Sequence, residues 1–147
     1  MIADANKIHD LNKPTEHGKV VLDWLERENS GLIVGGKLGD ELGRSTKLMA
    51  FLTTLNRAGK KRVHMINDGA VRNRTEALKK SGVCRSNDPH VIALALLTGC
   101  RLIFTEDDDL QRDVHNAKIL NPTASIYKRK SHKHLLIKCK CKVVAAP

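Results

Sequence analysis

Hydrophobic positions along the chain fall into short apolar runs separated by segments of helical period, and the two kinds of segment alternate. Met1-Ile2-Ala3 runs apolar into Asp4 and reads as the end of a strand. The stretch from Thr15 to Asn29 predicts a helix, because Val21, Trp24, Leu25 and Glu28 share one helical face, Pro14 precedes it and Ser30-Gly31 stops it. Leu32-Ile33-Val34 is a brief apolar run closed by Gly35-Gly36, after which Leu38 and Leu42 lie on one helical face. Leu48, Phe51, Leu52 and Leu55 recur at i, i+3, i+4 and i+7, predicting an amphipathic helix that ends at Gly59. Val63 and Met65 alternate with polar residues as in a strand, and Val71, Ala77 and Leu78 predict a helix ending near Ser81-Gly82. Asn87 or Asp88 can cap a helix that opens at Pro89; Val91 to Leu97 is apolar all round, so that helix is expected to be buried, with Gly99 ending it. Leu102-Ile103-Phe104 reads as a buried strand, Thr105 to Asp109 as the turn after it, and Leu110 to Val114 as a short helix. Lys118-Ile119-Leu120 reads as a last short strand stopped by Asn121-Pro122.

Strands that alternate with helices predict an α/β fold: a mostly parallel central sheet with helices on both faces, in a single domain. The expected organisation is a domain over 1–127 followed by a basic tail over 128–147. Functional sites in such folds lie beyond the carboxyl ends of the strands, where Asp4 and the Asp107 region both sit.

Charge then narrows the partner. The 147 residues carry 26 Lys+Arg against 16 Asp+Glu, a formal net charge of +10, which points to a polyanion and first to nucleic acid. Aromatic residues make up only 3%, which argues against a base-stacking platform for single strands and requires an aliphatic core. Cys84, Cys100, Cys139 and Cys141 do not have the spacing of a small disulfide scaffold. The longest apolar run, Val91 to Leu97, is too short to span a bilayer, and Asp4, Lys7, His9 and Asp10 interrupt any signal-peptide pattern; no membrane partner and a cytoplasmic location are the expectations.

Against this basic background four carboxylates stand out: Asp4, Glu41, Asp88 and Asp107. Strand ends and the starts of buried helices are costly places for a carboxylate without a partner. Several gathered together repel one another, so that they either take up a proton or bind a cation. Hard divalent ions, magnesium or manganese, favour oxygen ligands, hold phosphate and activate water. Each position also has an ordinary alternative. Asp88 reads equally as a helix cap, Asp107-Asp108-Asp109 as a solvated turn, Glu41 beside Asp40 as a surface helix pair, and Asp4 as part of a frayed terminus.

The same residues resemble the PIN-domain ribonucleases. Asp4-Ala5-Asn6 is similar to that family's opening Asp-x-Asn after the first strand. The segment from Ser86 to Ala95 is similar to its third acidic motif, an Asp heading a buried helix, and Leu102 to Leu110 is similar to its fourth, an apolar strand followed by Thr-x-Asp and then x-Asp-Leu. Glu41-Leu42 matches its loosely defined second motif, and the resemblance covers Met1 to Tyr127. It implies a metal-dependent endoribonuclease in which Asp4, Glu41, Asp88 and Asp107 are the catalytic acids, with magnesium or manganese on Asp4, Asp88 and Asp107 and with support from Thr105, Asn6 and Asp109. It also implies RNA as substrate, and a toxin restrained by an antitoxin-type protein or an RNA-processing role, with a homodimer common in the family. Lys7, Lys37, Arg44 and the tail residues Lys128, Arg129 and Lys130 are the expected phosphate-gripping cations.

Three other readings remain open: a catalytically silent nucleic-acid-binding module on the same fold, a structural partner of nucleic acid, and a phosphate-handling enzyme with a nucleophilic Asp. The last fits poorly, because Asn6 stands where such enzymes usually carry a second Asp. The tail has seven basic residues between Lys128 and Lys142 and reads either as an RNA-contacting arm or as a solvated face with Leu135, Leu136 and Ile137 packed on the domain. His132, His134, Cys139 and Cys141 have zinc-type chemistry, but the Cys-x-Cys spacing is tighter than usual and no zinc site is expected. His9, His17, His64, His90 and His115 read as ordinary surface or core residues, with His90 near enough to Asp88 to touch the site.

Overall fold

The computed structural model describes residues 1–27 and 29–139. Along them, short strands alternate with helices: β1 (Ile2–Ala3), α1 (Ala5–Asn12), α2 (Glu16–Arg27), β2 (Leu32–Val34), α3 (Lys37–Arg44), α4 (Thr46–Arg57), β3 (Val63–Met65), α5 (Asp68–Ser81), α6 (Pro89–Thr98), β4 (Leu102–Phe104), α7 (Asp108–Val114) and β5 (Ser125–Tyr127), then a 3-10 turn (Lys130–His132) and α8 (Lys133–Lys138). The fold is α/β and helix-rich, and all of its strand pairs are parallel. β1 pairs with β4 and β4 with β5 in one sheet, and β2 pairs with β3 in another. The two adjoin where β1 meets β2. The Ile33 N–H donates to the Met1 carbonyl at 2.9 Å, and the terminal amino group donates to the Gly31 carbonyl at 2.8 Å.

β1, β2 and β4 are apolar and buried at every position, as expected of parallel strands covered by helices, whereas β3 is only half-buried. The core is aliphatic apart from Trp24 and one aromatic pair, Phe104 and Tyr127, whose rings meet edge to face at 4.9 Å. α6 is buried along most of its length and packs on α5 and β1. It stops at Gly99, whose φ of +73° puts it in the left-handed region. A Cβ there would touch nothing within 4 Å, so only the backbone conformation resists a side chain. Gly99→Ala is therefore expected to lower stability by about 1 kcal/mol, read as a melting-temperature fall of about 2–4 °C; an unchanged melting temperature would contradict this account of the helix stop.

Two expectations change. The last strand is not Lys118-Ile119-Leu120 but β5, Ser125–Tyr127. The earlier segment coils into a turn in which the N–H groups of Ile119 and Leu120 both donate to the Asn116 carbonyl, at 2.9 Å each, so it has no extended edge to pair. The segment after Asp4, for which no element was expected, is helix α1. Asp4 caps it, and Lys7, Ile8 and Leu11 are its buried face. The predicted tail is structured as far as Cys139: α8 packs on β5 and α2, with Leu136 buried, Leu135 partly buried and Ile137 exposed. Glu28 of the α2 pattern, and Lys140, Cys141 and Lys142 of the tail, lie outside the described residues. No described helix is long and apolar enough to cross a membrane.

Candidate metal centre

The parallel register of β1 and β4 builds the site. Ile2 stands opposite Ile103 and Ala3 opposite Phe104, and the Asp4 N–H donates to the Phe104 carbonyl at 3.1 Å. The next residues in register, Asp4 and Thr105, therefore emerge side by side at the carboxyl ends of the two strands, and both are buried. Asp4 leaves the strand by capping α1, its carboxylate accepting the Lys7 N–H at 2.8 Å. The Thr105 hydroxyl donates to the same carboxylate and accepts the Asp107 N–H at 3.0 Å. One hydroxyl thus ties two of the predicted acids together.

Burial is the largest influence on Asp4 and raises its pKa above the usual 3.8. The hydrogen bonds from Thr105 and the Lys7 N–H pull it down, the charge of Asp88 pushes it up again, the Lys7 ammonium lowers it, and the net direction is upward. Positions 4 and 88, far apart in sequence, therefore act on each other electrostatically in the fold.

Asp88 occupies the N-cap position of α6, yet its side chain makes no capping hydrogen bond. The helix-cap reading does not describe what this carboxylate does. Its backbone N–H donates to the Ser86 hydroxyl at 3.2 Å, and its carboxylate keeps 28% of its surface exposed. Asp107 does cap a helix: its carboxylate accepts the Leu110 N–H at 2.6 Å at the start of α7. Glu41 is paired with Arg44 at 2.6 Å and Asp109 with Arg112 at 3.4 Å. Among the described residues, no three His, Cys, Asp or Glu side chains stand together as a ready ligand group. Among the predicted acids, the charge of Asp88 reaches Asp4, and Thr105 bonds to both Asp4 and Asp107.

The expected cations divide into two kinds. Lys7 is turned inward, buried beside Asp4, with its ammonium 2.7 Å from Glu106, 2.9 Å from Asp10 and 5.2 Å from the centre of the Phe104 ring. Burial alone would lower its pKa, but the bonds to Glu106 and Asp10 outweigh burial and raise it. Arg44 is occupied by Glu41, and Lys130 by Glu16. Lys37 and Arg129 project from the surface, and Lys128 lies 3.9 Å from Asp108. Lys37 follows Gly36, whose φ of +53° makes the sharp exit from β2, and its charge reaches His90. Asn6 is exposed on the first turn of α1.

Two residues of the site have no role assigned from the sequence: Asp113 is not singled out there, and His90 reads as an ordinary residue that lies near Asp88. Asp113, buried on α7, accepts the Arg85 N–H at 2.9 Å on each oxygen and the Ser86 N–H at 2.9 Å on one of them. It clasps the loop that presents Asp88. Its signal in the sequence is its place on the apolar face of α7 with Leu110 and Val114. The other is His90, buried at the start of α6 with its Nε2 3.8 Å from Asp88; its signal is that of a polar residue inside an otherwise apolar helix. Burial pushes the His90 pKa down, more than the charge of Asp88 raises it. No protein-family model, curated protein or solved structure matches the chain.

Proposed function

We propose that the chain is a magnesium- or manganese-dependent endoribonuclease with a PIN-like architecture. In this reading the two parallel ladders, adjoining at Met1, form one central sheet of order β3-β2-β1-β4-β5 with helices on both faces. Chain order then reverses between β1 and β4, and crevices for ligands in doubly wound sheets open at such reversals, beyond the carboxyl ends of the strands. Asp4 and Thr105 stand there.

The observation that carries the proposal is the buried Asp4 carboxylate held against the charge of Asp88 in a chain of net charge +10. Both influences favour neutralising Asp4, and a divalent cation does so. Magnesium commonly takes one or two carboxylates and completes its shell with water and phosphate oxygens, so the Asp4–Asp88 pair fits it. Asp4 and Asp88 would hold the ion, Asp107 would join through the oxygen that does not cap α7, and Glu41 would contribute on release from Arg44. When bound, such an ion supplies an acidified water for attack on a phosphodiester and offsets phosphate charge. The rest falls to the chain. Thr105 orients Asp4, Asp113 holds the Asp88 loop, and Lys37, Lys128 and Arg129 grip phosphates without reading bases.

The test is cleavage of mixed RNA with magnesium by the wild type, by Asp88→Asn and by the wild type with a chelator. Cleavage by the wild type alone is expected; equal cleavage by all three, or by none, would contradict the proposal. One observation favours a second reading, a silent RNA-binding module: the Lys7 ammonium already sets a positive charge beside Asp4. That module would bind RNA identically with and without magnesium.

A further inference from the structure

His90 carries a feature that packing alone does not explain. The residue is 7% exposed, and its Nε2 is buried with no hydrogen-bond partner among the described residues. A buried donor left unmatched is costly, so such atoms in folded proteins generally serve a purpose. The ion-pair acceptor beside it is Asp88 Oδ1 at 3.8 Å, roughly 0.6 Å beyond hydrogen-bond reach. That carboxylate makes no capping bond to α6. Among the described residues, an unmatched buried nitrogen and a carboxylate that makes no cap thus face each other at the first turn of one helix, and the charge of that carboxylate also acts on Asp4.

We propose that His90 is a positioning residue for the candidate metal centre. Its Nε2–H donates to one oxygen of Asp88 when a divalent cation relieves the repulsion between Asp88 and Asp4, leaving the other oxygen for the ion. Carboxylates that ligate metals are ordinarily held by such an outer hydrogen bond, and losing it typically weakens metal binding by about 10–100-fold. The inference rests on the metal-dependent reading above, and its failure is distinguishable from the failure of that reading.

The experiment is calorimetric titration of the full chain with manganese chloride for the wild type, His90→Phe and His90→Gln, with melting temperatures of the metal-free proteins. Phe fills the space without a donor, and Gln returns an N–H near the Nε2 position. His90→Phe is expected to bind manganese at least about tenfold more weakly, with a metal-free melting temperature no lower than the wild type's, because it removes an unmatched buried polar atom. His90→Gln is expected to recover most of the affinity. Wild-type affinity in His90→Phe, or equal loss in both variants, would overturn the role of His90 and leave the metal centre standing. A wild type that binds no manganese would overturn both.

Discussion

Asp4→Asn is expected to lower RNA cleavage by at least about 100-fold, the equivalent of about 3 kcal/mol of transition-state stabilisation, while raising the melting temperature at neutral pH. The two effects have one cause. Asp4 is buried and feels the charge of Asp88, and its pKa lies above the ordinary carboxylate value of 3.8. A carboxyl group with a raised folded-state pKa favours the folded state fully below its unfolded pKa, and that contribution is lost as pH rises through the folded value. At neutral pH the ionised Asp4 is therefore a burden on the fold, and Asn removes the charge while keeping a carbonyl to accept the Lys7 N–H and cap α1. The stability gain should shrink as pH falls through the raised folded-state value, where Asp4 of the folded wild type takes up its proton, and be gone below the unfolded value of 3.8. Melting curves from pH 7 down to pH 3.5 with a parallel cleavage assay measure both; a variant that cleaves normally, or that is less stable at every pH, would contradict the account.

Asp113→Ala is expected to lower stability by about 3 kcal/mol, a melting-temperature fall of about 6–12 °C for a chain of this size. The carboxylate is 2% exposed and is the acceptor for the N–H groups of Arg85 and Ser86. Truncation leaves these donors without a charged acceptor, one of them on the buried Ser86. Asp113→Asn keeps one carbonyl oxygen and should lose roughly half as much. The Ser86 hydroxyl accepts the Asp88 N–H at 3.2 Å, so loosening this loop also displaces Asp88. Cleavage by Asp113→Ala should fall by more than its unfolded fraction accounts for. An unchanged melting temperature would show that the clasp contributes nothing.

Local signals made most of the fold legible. The apolar runs at Leu32–Val34 and Leu102–Phe104 are strands because covered parallel strands need apolar residues on both faces, and Pro89 and Gly99 bracket α6 as helix punctuation should. β5 was hidden because its pairing is long-range: the Ala124 N–H donates to Val114 and the Ser125 N–H to Arg101, neither a neighbour in the chain. α1 was hidden because its buried face includes Lys7, which reads as surface until Glu106, 99 residues on, is seen to hold it.

The site was legible in the same uneven way. Asp4, Asp88 and Asp107 could be named because each follows an apolar strand or heads a helix. That Asp88 leaves its cap unused while Asp107 makes its own is a matter of tertiary geometry that spacing does not encode. Asp113 is not singled out, and His90 stands out only for lying near Asp88, because a lone polar residue on an apolar face is ordinarily core, and only their partners reveal what they hold.

In the proposed reading Asp4 and Asp88 converge to bind one divalent cation. Anomalous diffraction from crystals soaked in manganese chloride addresses it most directly. A strong peak in contact with both carboxylates is expected, absent from Asp4→Asn crystals treated alike; no peak at the carboxyl end of β1, or one that persists unchanged in the variant, would rule out the shared ion.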